Sequence, residues 1–214
     1  MLNTTDLNIM ADKQKIGVFG GAFNPVHNGH INLALHYLNE LELDKILFIP
    51  TASPPHKSDD DFAPKEDRIN MLSLAISSFD KFEISDIEFK LTGKSYTYLT
   101  LSELEKIYEN AEFYLIIGAD QMLHFDKWYK YKEILSLVTL CTSARDNEKE
   151  KAEILSFASR LDGLDMNKFK LLTSPVLKVS SSEIRQKIKD GEDFSSLVPK
   201  KVYDYIIKRR IYNV

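Results

Sequence analysis

From Lys15 onward the chain alternates between short unbroken apolar runs and longer stretches whose apolar positions recur three and four apart. The first kind reads as a strand buried on both sides, the second as an amphipathic helix. Ile16–Phe19 is the first run, and Gly20-Gly21 after it predicts a turn that stops the strand. Ile31, Ala34, Leu35, Leu38 and Leu41 then mark a helix from about Asn28 to Leu43. Lys45–Pro50 repeats the strand pattern, and Ile69, Leu72, Ala75 and Ile76 give a second helix opened by Pro64. Further on, the pattern predicts β-like runs over Phe82–Ile84 and Ile87–Leu91, a helix over Thr97–Tyr108 and a strand over Phe113–Ile117. A strand over Leu135–Cys141, a helix over Glu148–Leu161 and a short strand over Lys170–Leu172 follow, and helices over Ser181–Lys189 and Pro199–Arg210 close the chain. Buried strands alternating with helices specify an α/β fold, a doubly wound, mostly parallel sheet with helices on both faces.

No internal repeat and no long linker divides this pattern, so residues 15–214 read as a single domain. Residues 1–14 are polar and aperiodic and read as a flexible leader, with Met10 as an alternative start. A chain of 214 residues buries roughly 70% of its unfolded surface and needs no disulfide or structural metal to hold a core. The 51–64 loop carries the acidic run Ser58–Asp61, a solvated segment in a loop long enough to act as a lid.

Charge narrows the partners. With 28 Lys and Arg against 32 Asp and Glu, the net charge of −4 lacks the cationic surplus of a general nucleic-acid binder. The basic stretch Lys200–Arg210 fits the solvated face of a terminal helix. The lone Cys141 cannot form an internal disulfide, no run approaches the length of a membrane span, and the N-terminus lacks a signal peptide's apolar core. These features predict a cytoplasmic protein with no membrane or nucleic-acid partner; a homo-oligomeric state stays open.

Chemistry concentrates in Gly20–His30, GGAFNPVHNGH. Four of the eight glycines fall within residues 17–29, and two of the five histidines, His27 and His30, stand three apart at a helix start. A strand-to-helix junction with glycines brings a ligand close to the backbone, and a helix N-terminus attracts an anion. In a doubly wound sheet this is also where ligands bind. The two histidines would project the same way and each donate to phosphate oxygens. A dinucleotide fingerprint needs a third glycine that is missing, and a Walker-type loop needs Gly-Lys-Ser/Thr where Gly29 is followed by His30. Zinc would need a third ligand, and no cysteine or suitably spaced glutamate stands nearby.

The segment resembles the nucleotidyltransferase superfamily, whose motif Gly-x-Phe-x-Pro-x-His-x-Gly-His is matched by Gly21, Phe23, Pro25, His27, Gly29 and His30. Its second element, Ser-Ser/Thr-x-Ile-Arg, is matched by Ser181, Ser182, Ile184 and Arg185, residues that an ordinary capped helix would also explain. From about Lys15 to the end the chain is similar to bacterial nicotinate-nucleotide adenylyltransferases. The likeness rests on Ile49-Pro50 with Pro54-Pro55-His56-Lys57, Arg68 and Met71, Ser95-Tyr96-Thr97, Ile117-Gly118-Ala119-Asp120, Trp128 and Leu197-Val198-Pro199 with Val202 and Tyr205-Ile206. Two positions depart: Ala22 stands where a hydroxyl residue is common, and Asn24 where Asp is usual.

The resemblance implies a Rossmann-like fold and transfer of AMP from ATP to nicotinate mononucleotide, giving nicotinate adenine dinucleotide and pyrophosphate. Catalytic roles fall to His27, His30 and Arg185, and ATP binding to Gly20, Gly21, Ala22, Phe23, Gly29, Gly118, Asp120, Ser181, Ser182 and Ile184. Asp120 would accept from ribose hydroxyls, or cap the helix before Gln121, or both. Lys57, Tyr96, Thr97 and Trp128 would hold the mononucleotide, with Trp128 stacking on the pyridine ring and Thr97 opening a helix toward the carboxylate. Mg²⁺ would bridge the ATP phosphates, held by phosphate oxygens and water. Pantetheine-phosphate adenylyltransferases, cytidylyltransferases, a nicotinamide-mononucleotide enzyme and a non-catalytic nucleotide-binding regulator are the alternatives. The first typically carries Thr at the position of His27, and loss of His27, His30 or Arg185 would have favoured the last. His36 and His124 are left as surface or core histidines.

Overall fold

The computed structural model describes residues 13–52, 62–91, 93–144, 148–173 and 179–212. Most of the expected leader, most of the 51–64 loop and Lys57 lie outside the described residues. Six strands, β1 (Gln14–Gly21), β2 (Lys45–Pro50), β3 (Phe82–Ile84), β4 (Ala111–Ile117), β5 (Val138–Ala144) and β6 (Phe169–Thr173), form one sheet in the order β3-β2-β1-β4-β5-β6. Every neighbouring pair is parallel. The helices are α1 (Asn28–Glu40), α2 (Lys65–Ile76), α3 (Thr97–Ile107), α4 (Ala119–Met122), α5 (Tyr131–Leu137), α6 (Glu148–Ala158), α7 (Ser181–Lys189) and α8 (Lys200–Arg209).

The strands are apolar throughout because each side has its own core. In β2, Ile46 and Phe48 join a cluster with Ala34, Tyr37, Met71, Leu72, Ile184 and Val202, beneath α1, α2, α7 and α8. Leu47 and Ile49 point the other way, to Leu101, Leu104, Ile134 and Ile154 of α3, α5 and α6. A period of two along the strand thus serves two helical layers.

Three expectations are corrected. Gly20 and Gly21 continue β1 instead of ending it, pairing with Ile49 and Pro50. Ile87–Leu91 is not a strand but a 3₁₀ turn, Ile87–Phe89. The turn buries Glu88, whose carboxylate accepts from Ala52 N–H at 3.3 Å and Thr100 Oγ1 at 3.1 Å, bonds a solvent-facing strand position could not make. The apolar run at Leu135–Cys141 divides at Val138: the preceding residues close helix α5, and the strand runs on to Ala144. An unbroken apolar run does not reveal its own period.

The strand order reverses direction between β1 and β4, and ligands of doubly wound sheets bind at such a point, outside the carboxyl ends of the strands. Phe19 pairs with Ile116, which brings the glycine end of β1 level with Ile117 and Gly118.

Candidate active site

His27 is the N-cap of α1, and its ring takes the His30 N–H at 3.3 Å while the His30 ring takes the His27 N–H at 3.2 Å, both through Nδ1. The rings stack 3.6 Å apart. Phe23 and Phe19 pack against His30 from the strand side, at 5.1 and 6.0 Å. Burial lowers the His27 pKa from 6.5 to about 4. His30 is held well below the ordinary range, first by burial and then by His27. Both rings are therefore neutral at pH 7, and with Nδ1 accepting, each carries its hydrogen on Nε2. The pair is a fixed double donor.

Gly29 sits between them for steric reasons. A Cβ there would lie 2.9 Å from Val179 Cγ1 and 3.0 Å from His27 Nδ1. Gly20 is the opposite case: among the described residues no atom beyond its two chain neighbours lies within 4 Å of where its Cβ would be, so the strand end is open to them on that side. The helix start offers less than the sequence suggests. Leu197 O takes the Asn28 N–H at 3.0 Å and His27 takes that of His30, leaving Gly29 N–H as the donor without an intramolecular partner among the described residues.

The two motifs meet. Ser181 Oγ donates to Pro25 O at 2.9 Å, and Arg185 Nη1 donates to Asn24 O at 2.8 Å, with Nη2 3.3 Å from Ser182 Oγ. Ser180, the cap of α7, accepts the Glu183 N–H at 3.1 Å, so the serines at the helix start divide the work of capping and docking. Ile184 is wholly buried and Phe23 is 1% exposed, both side chains in the core, which leaves their backbone as the part that could meet ATP. Each shapes the motif by packing.

At the end of β4, Gly118 is the cap of α4, and its N–H is taken by Gln121 Oε1 at 3.1 Å. Asp120 therefore does not cap; it stands exposed in the first turn, facing a groove shared with His124 and Arg160. Tyr96 caps α3, and its carbonyl takes the N–H groups of Leu99 and Thr100 at 2.9 and 3.2 Å. Those of Thr97 and Tyr98 have no intramolecular partner among the described residues. Trp128 is half-buried, with one side on Phe125 at 5.0 Å. Tyr129 beside it lies 4.7 Å from Tyr96 and 6.2 Å from Tyr98, so Tyr96, Thr97 and Trp128 gather in one place.

Some residues at the site were given no site role by the sequence reading, Arg68 entering it only through the family likeness. Arg68, 3% exposed, donates from Nη1 to Ala22 O at 3.0 Å and Thr51 O at 2.8 Å, tying the ends of β1 and β2 together. Its position on the apolar face of α2 with Met71 and Leu72 was the available signal. Tyr129 and Lys130, the latter 4.3 Å over the Tyr98 ring, carried none.

Residues 18–187 match the family model described as Cytidylyltransferase-like. The probable nicotinate-nucleotide adenylyltransferase of Clostridium tetani is 42% identical over 212 residues, covering 93% of this chain and 99% of its own. That of Dehalococcoides mccartyi strain BAV1 is 38% identical over 199 residues, covering 92% and 97%. The chain belongs to the cytidylyltransferase-like family, among its nicotinate-nucleotide adenylyltransferases. The fold is shared more widely. Plasmodium falciparum nicotinic acid mononucleotide adenylyltransferase complexed with NaAD superposes with a TM-score of 0.77 at 22% identity, over 94% of this chain and 98% of that one. No helix among the described residues is long and apolar enough to cross a membrane.

Proposed function

We propose that the protein transfers AMP from ATP to nicotinate mononucleotide, with Arg185, His27 and His30 aimed at the transferring phosphate. A mononucleotide phosphate oxygen bonds to Pα, the bond from Pα to the bridging oxygen breaks, and pyrophosphate leaves with that electron pair. The nucleophile is already an anion, so the site needs no general base. It needs positioning and donors that meet charge developing on the α-phosphate and leaving group. Two neutral imidazoles locked as Nε2–H donors and a guanidinium anchored on Asn24 O are such a set. That junction of the two motifs is the observation that carries the reading.

Mg²⁺ would accompany ATP, held by phosphate oxygens and water, and would offset charge on the phosphates. Among the described residues no three His, Cys, Asp or Glu side chains are grouped as a cage, and no residue of the chain is assigned to the ion. Gly20, Gly21, Ala22 and Gly29 give the phosphates close backbone approach. Ser181 and Ser182 offer α7 N–H groups, and Gly118 and Asp120 would take the ribose. The nicotinate carboxylate is assigned to the free N–H groups at Thr97, with Tyr96 and Trp128 around the ring and Lys57 as a further cation. Cys141 is buried with its thiol pushed up to about 12, an inert group that suits a cytoplasmic enzyme.

The test is pyrophosphate release from MgATP with each mononucleotide, on the wild type and on Trp128→Ala. A site of donors desolvated for a carboxylate is poorly satisfied by an amide, whose NH₂ presents hydrogens instead of lone pairs. The nicotinate form should give the higher kcat/KM, and Trp128→Ala should raise its KM. Equal values for the two substrates would overturn the nicotinate assignment while leaving adenylyl transfer standing.

A further inference from the structure

Asn24 is a junction that the two motifs alone do not account for. It is 3% exposed, and its Oδ1 accepts from Ala63 N–H at 2.9 Å and from the Tyr212 hydroxyl at 2.8 Å. Its carbonyl accepts from Arg185 Nη1 at 2.8 Å. One residue of the phosphate loop therefore meets the end of the 51–64 loop, the arginine of the second motif and the last turn of the chain. Tyr212 reaches it because α8 ends at Arg210 in a left-handed conformation, φ 53°, and Tyr212 repeats that conformation at φ 68°, folding the chain end back. Ile211 is buried beside it as an anchor. Burial raises the Tyr212 pKa, so the hydroxyl keeps its proton and donates at neutral pH.

We propose that Tyr212 is a positioning residue for adenylyl transfer: its hydroxyl fixes the Asn24 side chain, and through it the loop carbonyl on which the Arg185 guanidinium is aligned. The proposal rests on the adenylyl-transfer reading above. The amide of Asn24 suits this junction. Its Oδ1 takes two donors without placing a carboxylate charge among buried groups, beside the backbone that is to meet the phosphates.

The experiment compares Tyr212→Phe with Tyr205→Phe. Tyr205, on α8, also donates a hydroxyl hydrogen bond, to Asp67 Oδ1 at 2.8 Å, but does not touch the loop. Tyr212→Phe should lower kcat/KM for ATP about fivefold to tenfold, the size of one aligned hydrogen bond, while KM for the mononucleotide and Tm stay close to wild type. Tyr205→Phe should leave kcat/KM for ATP unchanged. In an Arg185→Lys background the Tyr212→Phe effect should shrink below about twofold, because residues acting through one another are not additive. Wild-type kinetics in Tyr212→Phe, equal losses in the two phenylalanine variants, or full additivity with Arg185→Lys would each overturn the proposal. Affinity for a non-hydrolysable MgATP analogue is measured on the same proteins. It should weaken in Tyr212→Phe even if no pyridine mononucleotide proves to be the acceptor, which separates failure of this proposal from failure of the substrate reading.

Discussion

His27 and His30 cap one another, each ring accepting the backbone N–H of the other across a stack of 3.6 Å. The bond that starts helix α1 is the same bond that occupies Nδ1 and leaves the ring hydrogen on Nε2. Local folding and ring tautomer are thus one arrangement.

A pH dependence of stability follows. Above about pH 6.5, His27 is neutral in both folded and unfolded chains and its titration costs nothing. Below that pH the unfolded chain takes up the proton first, because the folded pKa is about 4, so stability falls as pH drops and the loss is complete below about pH 4. By linkage His27 alone should remove about 2 kcal/mol by pH 5, and His30 shifts in the same direction. Urea unfolding at pH 7 and pH 5 checks this against His27→Asn, which keeps a capping side chain but does not titrate. An equal loss in the variant would put the dependence elsewhere.

His30→Ala should lower kcat about 100-fold to 1,000-fold, the loss expected when one donor to developing charge is removed, with a much smaller change in KM for ATP. Steady-state kinetics with a circular dichroism check of the fold measure it. Wild-type turnover in a folded variant would remove His30 from the mechanism.

The sequence carried the fold class, most elements and the two motifs, because buried parallel strands and amphipathic helices each have a period to read. Lys45–Pro50 and Ser181–Lys189 appear in the structure with the expected bounds. Errors came where side chains settle a local contest. Glu88 turns the chain to serve Ala52 and Thr100, and the run around Leu135 hides its helix from any periodicity test. Asn24 was visible only as a departure from the usual Asp. Its partners, Ala63, Arg185 and Tyr212, are distant in sequence and meet only in the folded chain.

Arg68 is a second such tie, with Nη1 shared between Ala22 O and Thr51 O and the guanidinium against Phe62 and Phe89 at 5.3 and 5.7 Å. Arg68→Ala should destabilise by roughly 2–4 kcal/mol, since it strands two part-buried carbonyl groups and opens space between rings. Arg68→Lys should restore only part of this, because an ammonium does not reproduce the planar contact with the rings. Urea midpoints of the three proteins decide it, and an unchanged midpoint in Arg68→Ala would show that the strand ends hold without the tie.

Gly20 and Gly29 predict opposite outcomes for the same substitution. At Gly29 an added methyl would sit 2.9 Å from Val179 and 3.0 Å from His27 Nδ1, so Gly29→Ala must displace the ring that caps α1. It should lower Tm and kcat together, because the cap and the proposed donor are one side chain. At Gly20 the methyl meets no atom of the described residues beyond its two chain neighbours within 4 Å, and the residue lies within β1 in parallel pairing with Ile49. Gly20→Ala should therefore keep or slightly raise Tm, since alanine loses less backbone entropy on folding. The methyl projects into the space left open at the strand end, where the phosphates would approach the backbone. KM for ATP should rise at least tenfold while the fold is untouched. Thermal melts and ATP kinetics on both variants separate the two roles, and unchanged ATP kinetics in Gly20→Ala would move the phosphates away from the end of β1.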